Sequence, residues 1–316
     1  MDELIAFGPV PSRRLGRSLG VNNIPAKTCT YSCIYCQAGK TNVMIAKRAK
    51  FYDPQLVYEE VKRRIEDILK RGHRVDYITF VPDGEPTLDI NLGIEIELLK
   101  NLNIPIAVLT NASLMWREDV KEDLLKADLV SIKVDAMSEK LWRRINRPHP
   151  SLKLSRILEG IIEFSREFKG VIITETMLID GFNYEEEAKE IANFISKLRP
   201  AKAYIAVPTR PPAESWVRPA REEIVNNVFQ EFQRRLGNKV ELLVGFEGVN
   251  FGHTGDVVKD LLSIISVHPM REDAVRELLK KDRASWDIVK ELIRRGIIVE
   301  VEYKGYKYYI RRFRIK

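Results

Sequence analysis

Three cysteines lie within eight residues, and the chain contains no others. They are Cys29, Cys33 and Cys36, in the pattern C-x3-C-x2-C. An odd number of thiols at this spacing cannot form a disulfide framework. Three thiolates on one short loop can hold three corners of a cubane iron-sulfur cluster and leave the fourth iron open. Zinc and three unrelated buried thiols are the alternatives, although a structural zinc site takes four ligands.

A second group of candidate residues follows a short apolar run, Tyr77 to Val81, that is typical of a buried strand. Asp83, Gly84, Glu85 and Pro86 come soon after this run. Backbone carbonyls and a carboxylate at the end of a strand can accept hydrogen bonds from an ammonium group. An ordinary Asp-Gly turn is the alternative interpretation of this segment.

Polar residues also occur near the ends of the next three predicted strands. They are Asn111, Ser131, Lys133 and Glu175. Ser131 and Lys133 share one face of their strand because side chains alternate along a strand. A lysine that points into a barrel is costly unless it is paired or bound to a ligand. Asn111 could instead be a helix cap or a turn residue.

Strands and helices alternate from about Val21 to Val207, which predicts βα units and a parallel sheet. We count about six units, whereas a closed eight-stranded barrel normally takes about 250 residues. The fold class is therefore α/β, with a partial (β/α)6 TIM-like barrel of parallel strands. The ligand site of such a fold lies at the carboxyl ends of its strands. The segment from Phe7 to Pro25 is predicted to be a hairpin or an irregular lead-in.

The end of the chain has a different pattern. Three helices and a two-stranded hairpin are predicted between Val257 and Ile310, which is typical of a winged helix-turn-helix. Gly245 to Gly255 holds four glycines and is predicted to be a linker or a loop touching the site. We therefore expect a partial-barrel domain over 1–254 and a small C-terminal domain over 255–316. Such a domain could bind nucleic acid or another protein.

Composition indicates a soluble, folded chain. Charged residues make up 31% and hydrophobic residues 45%, with a net charge of +7. Most of the positive excess lies after residue 255. The first residues lack a basic stretch followed by an apolar one, and no apolar run is long enough to span a membrane. We expect a cytoplasmic protein with no membrane partner, in a reducing compartment where thiolates can hold metal.

The cysteine loop resembles the hallmark loop of the radical S-adenosylmethionine (SAM) superfamily, which has an aromatic residue, here Tyr35, before its last cysteine. The segment 83–86 resembles the Gly-Gly-Glu-Pro motif of that family, with Asp83 in place of the first glycine. The resemblance implies that the three cysteines bind a 4Fe-4S cluster whose open iron binds SAM. It also implies that an external one-electron donor drives cleavage of SAM to a 5′-deoxyadenosyl radical, which takes hydrogen from the substrate.

The same resemblance assigns roles to the other candidates. Tyr35 would contact the adenine, and residues 83–86 would receive the SAM amino group. A serine near the position of Ser131 often contacts the SAM carboxylate or ribose in this family, and Glu175 could meet the ribose hydroxyls. The catalytic residues stay unknown.

Within the superfamily, residues 7–41 and 80–88 are most similar to the wyosine-biosynthesis group, the tRNA 4-demethylwyosine synthases. Archaeal members carry further cysteines for a second cluster, and this chain has none. We therefore expect another substrate, such as a different tRNA nucleotide or another phosphate-bearing molecule. One alternative is an activase or peptide-modifying radical SAM enzyme that acts on a protein. A DNA-binding iron-sulfur redox sensor is the alternative from another class.

Overall fold

The computed structural model describes residues 5–244, 251, 255–267 and 269–312 of the 316-residue chain. The strands are β1 (Ala6–Ser12), β2 (Gly16–Val21), β3 (Thr28–Cys29), β4 (Val43–Met44), β5 (Tyr77–Phe80), β6 (Ile106–Thr110), β7 (Leu129–Lys133), β8 (Val171–Met177), β9 (Lys202–Ala206), β10 (Val240–Leu243), β11 (Met270–Arg271), β12 (Ile298–Tyr303) and β13 (Tyr306–Arg311). The helices are α1 (Pro54–Lys70), α2 (Leu92–Lys100), α3 (Glu118–Leu124), α4 (Glu139–Ile145), α5 (Leu154–Glu167), α6 (Glu185–Lys197), α7 (Glu222–Leu236), α8 (Val257–Val267), α9 (Glu272–Lys281) and α10 (Asp287–Arg294).

The main sheet is a curled half-barrel. Within the described residues it has eight strands, in the order β1-β2-β5-β6-β7-β8-β9-β10. Neighbours from β2 onward are parallel, and β1 pairs antiparallel with β2. This sheet confirms the predicted partial barrel. The predicted lead-in over 7–25 contains the β1-β2 hairpin.

The parallel part of the sheet has one strand more than the six predicted units. The additional strand, β10, is only four residues long and carries a glutamate. Its pattern is too short to separate from a loop, and pairing with β9 decides its conformation. Helix α4 was also missed, because its seven residues span only about two turns.

The helices have local reasons to form where they do. In α1, for example, the Asp53 side chain accepts a hydrogen bond from the Gln55 backbone N–H at 2.8 Å, and Pro54 occupies the first turn. Val57, Val61, Ile65 and Ile68 of this helix are buried at helical spacing. The apolar face predicted from the sequence is therefore the face that packs on the sheet.

The C-terminal part of the chain contains the predicted helices and hairpin. Helices α8, α9 and α10 are followed by β12 and β13, and β11 completes a three-stranded sheet in the order β11-β13-β12. These elements share an apolar cluster separate from the main one. Of the predicted linker 245–255, only Phe251 and Gly255 are described. The other linker residues lie outside the described part of the chain.

No helix in the described residues is long and apolar enough to cross a membrane.

Candidate active site

A cavity of about 340 Å³ opens at the carboxyl ends of the parallel strands. Most of the candidate residues predicted from the sequence line this one cavity. They are Cys29, Cys33, Tyr35, Cys36, Gly84, Glu85, Asn111, Ser131, Lys133 and Glu175. Asp83 and Pro86 flank this set without lining the cavity. Residues from five different parts of the sequence therefore meet where the fold class predicts a ligand site.

The cysteine loop is fastened to the end of β5. Thr28 and Gly84 form an isolated parallel bridge, and the Glu85 N–H donates to the Thr28 carbonyl at 3.2 Å. The Lys27 N–H donates to the Asp83 carbonyl at 2.7 Å. A Cβ at residue 84 would stand 1.8 Å from the Thr28 oxygen. Glycine is therefore required here by close backbone approach, and this approach brings the cysteines to the strand end.

The loop is also held from within. Ile34 is fully buried, and its N–H donates to the Ile145 carbonyl at 2.9 Å. Its carbonyl accepts a hydrogen bond from the Glu214 N–H at 3.0 Å. Ile34 therefore anchors the loop midway between its second and third cysteines.

The carboxylate of Glu85 is surrounded by donors from the protein. Oε1 accepts from the Thr110 hydroxyl at 2.6 Å and from the Thr87 hydroxyl at 2.6 Å. Oε2 accepts from the Asn111 N–H at 2.8 Å. Burial raises the pKa of Glu85, although these hydrogen bonds partly oppose the shift. Glu85 thus joins the ends of β5 and β6, and Oε2 keeps lone-pair capacity for one more donor.

Asn111 links the third strand end to the cysteine loop. Its Nδ2 lies 2.8 Å from the Thr30 hydroxyl and 3.6 Å from the Cys29 sulfur. The latter is the distance of an N–H···S contact. Asn111 is also a turn residue, since its Oδ1 accepts a hydrogen bond from the Ser113 N–H at 2.9 Å while its Nδ2 is aimed at the loop.

Sequence reasoning missed two buried residues of the site, Asp135 and Asn146. The Tyr35 hydroxyl donates to the Asp135 carboxylate, which also accepts from Asn146 Nδ2 at 2.7 Å. Asn146 Nδ2 lies 3.4 Å from the Cys33 sulfur. A usable signal was Asp135 itself, which continues the alternation of Ser131 and Lys133 along one strand. Asn146 follows the unpredicted helix α4 and had no such signal.

Lys133 and Glu175 face each other across β7 and β8. The Lys133 ammonium lies 2.6 Å from a Glu175 oxygen, and Arg14 donates to the other oxygen. Burial would lower the pKa of Lys133, but the carboxylates of Glu175 and Asp135 outweigh it and raise this pKa. The lysine therefore enters the cavity charged and paired. Its Nζ lies 5.0 Å from the centre of the Tyr35 ring.

The three cysteines form a donor set that suits a cluster. All are half-buried free thiols. Burial raises the pKa of each, that of Cys33 to about 12, so they stay neutral until a metal ionises them. Amide N–H groups of Asn111 and Asn146 already point at two of the sulfurs. Protein-bound clusters commonly accept hydrogen bonds at their cysteine sulfurs. The three cysteines and the two asparagines therefore fit a cluster with three thiolate ligands.

The arrangement of the three cysteines differs from that of a binding site for a single metal ion. Among the described residues, no three His, Cys, Asp or Glu side chains are grouped as ligands of a single metal ion. In a cubane, by contrast, each thiolate binds a different iron.

A buried arginine completes the cavity near the third cysteine. Arg210, which follows β9, is 7% exposed and lines the cavity. Its guanidinium donates to the side-chain oxygen of Gln37, the neighbour of Cys36. The loop after the sixth predicted strand is thereby connected to the cysteine loop.

Comparison with known proteins gives a consistent result. The family model described as "Radical SAM superfamily" matches residues 23–195. UPF0026 protein MJ1312 of Methanocaldococcus jannaschii is 48% identical over 309 residues, which cover 97% of this chain and 96% of that protein.

Two solved structures share the fold. One is TYW1 with a lysine-pyruvate adduct bound, at a TM-score of 0.50 and 19% identity, covering 69% of this chain and 73% of that chain. The other is SuiB of Streptococcus suis, at a TM-score of 0.52 and 14% identity, covering 71% of this chain and 48% of that chain. At these identities the likeness concerns the fold alone.

Proposed function

The chain belongs to the radical SAM superfamily, and we propose that the cavity at its strand ends is the place where cluster, SAM and substrate meet. Enzymes of this superfamily use a 4Fe-4S cluster and SAM, and this chain is such an enzyme. When bound and reduced, these cofactors supply a 5′-deoxyadenosyl radical that abstracts hydrogen from a substrate. The observation that supports this location most is the backbone bridge between Thr28 and Gly84. It joins the cysteine loop to the segment predicted to bind SAM.

Cys29, Cys33 and Cys36 are the proposed cluster ligands. Their thiols line one cavity, and the chain contains no fourth cysteine for a second cluster. The amides of Asn111 and Asn146 orient two of the sulfurs and offset the negative charge that thiolates carry. Asp135 holds Asn146 and Tyr35 in place through its carboxylate.

The segment 83–86 is the proposed acceptor of the SAM amino group. Glu85 can offer its remaining lone-pair capacity, while Gly84 allows the segment to lie against the cysteine loop. The buried Lys27–Asp83 ion pair, with a separation of 3.1 Å, supports Asp83 as a residue that fixes the turn.

The other cavity residues are the proposed contacts of the remaining parts of SAM. Tyr35 offers its ring to the adenine, and Ser131 offers a hydroxyl. Lys133 and Glu175 offer a charged pair to the carboxylate and the ribose hydroxyls. Arg14 also forms an ion pair with Glu175. If the ribose hydroxyls bind one carboxylate oxygen of Glu175, the other oxygen therefore keeps a cationic partner.

We propose that residues 255–316 form a winged-helix domain beside a barrel domain of residues 1–254. The order of helices and strands after residue 255 and the strand order β11-β13-β12 support this assignment. Most residues of the second apolar cluster belong to this part of the chain, which supports the boundary, and Phe7 and Val10 of β1 join that cluster. We also place the enzyme in the cytoplasm, where reducing conditions keep cysteine thiols available.

The proposed substrate is a tRNA nucleotide. Tyr306, the first residue of β13, is 52% exposed, and the Arg271 guanidinium lies 4.4 Å from the centre of its ring. Exposed aromatic rings and guanidinium groups are surfaces on which nucleobases stack. The hairpin contacts Pro208 and Thr209, and Thr209 lines the cavity, so a bound RNA would lie near the cofactors.

Anaerobic reconstitution tests the cofactor site. The wild-type protein should bind about four irons per chain and should form 5′-deoxyadenosine from SAM after reduction by dithionite. Cys33→Ala should lose the cluster, whereas Ser32→Ala, in the same loop, should keep it. Retained iron and brown colour in Cys33→Ala would contradict the ligand set. A full cluster that forms no 5′-deoxyadenosine would favour the redox-sensor alternative.

Filter binding with unmodified tRNA tests the proposed substrate. Tyr306→Ala and Arg271→Ala should weaken retention several-fold, and retention should fall as salt rises. Lys290→Ala, on exposed α10, serves as the control. Unchanged retention in both variants would remove this surface from tRNA binding and favour the protein-modifying alternative.

A further inference from the structure

The C-terminal unit, defined here as the described residues 255–312, contacts the half-barrel at two places. The first is the edge strand β1. Phe7 and Val10 of β1 belong to the same apolar cluster as α8 and also line the cavity. The side chain of Arg64 in α1 lies 2.9 Å from Asp260 of α8 and donates to the Gly8 carbonyl at 3.0 Å. The unit is therefore packed against one edge strand of the sheet.

The second place is the segment that follows β9, an inner strand of the sheet. The Tyr303 hydroxyl donates to the Pro208 carbonyl at 3.0 Å. The Tyr308 hydroxyl donates to the Thr209 carbonyl at 3.1 Å. Two tyrosines of one hairpin thus bind two successive carbonyls of a loop that has no strand pairing of its own there.

These carbonyls immediately precede Arg210. That residue is buried in the cavity wall and donates to Gln37, next to Cys36. A continuous series of contacts therefore runs from the hairpin tyrosines through residues 208–210 to the cysteine loop. Each fixed point reduces the number of conformations open to a loop. Without the two tyrosine hydrogen bonds, residues 208–210 would have more conformations, and the Arg210 guanidinium would be held less firmly.

We infer that the C-terminal unit supports one wall of the substrate cavity from outside, and that Tyr303 and Tyr308 are positioning residues that hold Arg210 against the cysteine loop. This inference rests on the proposed function for its meaning, since the cavity is the proposed catalytic site. The unit connects the edge strand β1 with the loop that follows β9 instead of acting as an independent appendage.

Hydrogen exchange measured by mass spectrometry tests the positioning role in the full-length protein. The double variant Tyr303→Phe/Tyr308→Phe removes only the two hydroxyls. We expect exchange at least ten-fold faster in peptides covering residues 207–211 and 36–38, with the remainder of the barrel unchanged. Tyr306→Phe, in the same hairpin but exposed, should match wild type. Unchanged exchange in the double variant, or faster exchange spread over the whole barrel, would overturn the inference.

A second measurement addresses the wall itself. After reconstitution, bleaching of the cluster by ferricyanide is followed by the loss of its visible absorbance. The double variant should bleach at least three-fold faster than wild type, and Tyr306→Phe should not. Equal rates would contradict a protective wall. If the wild-type protein itself takes up no cluster, the proposed function fails, while the exchange experiment still decides whether the tyrosines position the loop.

Discussion

Replacing Gly84 by alanine should separate the cysteine loop from the end of β5. The added Cβ would stand 1.8 Å from the Thr28 carbonyl oxygen, and 2.8 Å from the end of the Ile24 side chain. A carbon and a carbonyl oxygen in contact need about 3.3 Å, so the two segments must move apart by about 1.5 Å. That displacement breaks the bond from the Glu85 N–H to Thr28, which is already 3.2 Å long.

The neighbouring bond from the Lys27 N–H to the Asp83 carbonyl crosses the same junction. A buried backbone group that loses its partner costs about 1–3 kcal/mol, so the junction loses about 2–6 kcal/mol if both bonds break. We expect the apoprotein to remain folded, because the sheet pairings lie elsewhere. Iron uptake should fall below about four per chain, and SAM affinity should fall at least ten-fold, or about 1.4 kcal/mol.

The assay compares iron content, the SAM-induced change in the electron paramagnetic resonance signal of the reduced cluster, and the melting temperature. Gly160→Ala is a matched control, because its Cβ would lie 2.4 Å from the Trp116 Cα, far from the cysteine loop in sequence and on α5. This variant should melt at a lower temperature and still bind SAM as wild type does. If Gly84→Ala keeps both iron content and SAM affinity within two-fold of wild type, the close approach is not what positions the loop.

Three further predictions concern charged groups. Burial raises the pKa of Glu95 to about 9. The stabilisation due to its bound proton is therefore complete below the unfolded-state pKa of about 4.3 and is lost as pH rises toward 9. In urea unfolding, the free energy of unfolding of Glu95→Gln should rise by about 3 kcal/mol relative to that of wild type between pH 5 and pH 7.5. A stability difference between Glu95→Gln and wild type that does not change with pH would contradict the buried proton. Asp260→Asn leaves the buried Arg64 without its carboxylate and should cost about 3–5 kcal/mol of unfolding free energy, so a loss below about 1 kcal/mol would refute the buried pair. Glu175→Gln should weaken SAM binding about ten-fold in titration calorimetry with iron content unchanged, and unaltered affinity would place the ribose elsewhere.

Much of the fold was predictable because its signals are local. The apolar face of α1 and its cap at Asp53 are written in consecutive residues, and the structure confirms them. The alternation of strands and helices likewise predicted the half-barrel and the edge at which candidate residues meet. Glu85 and Lys133 therefore appear on the same cavity as the cysteines, as their strand-end positions indicated.

The remainder depends on contacts between distant parts of the chain. Asn146 approaches Tyr35 across 111 residues, and only packing of α4 brings it there. In the sequence, nothing distinguishes hydroxyls of Tyr303 and Tyr308 that face solvent from hydroxyls that bind the barrel. The positive charge of this segment suggested only a separable C-terminal unit. Their buried positions against residues 208 and 209 depend on tertiary packing, which no sequence periodicity predicts.

The anchoring of Ile34 bears on the order in which this protein is assembled. The cysteine loop is held by an apolar side chain and by backbone bonds to Ile145 and Glu214, none of which involves a thiol. The chain can thus complete its fold before any iron arrives, unlike small zinc domains that fold only with their metal. Cluster insertion then becomes a late and repeatable step, and a cluster destroyed by oxidation can be rebuilt on a scaffold that has kept its shape.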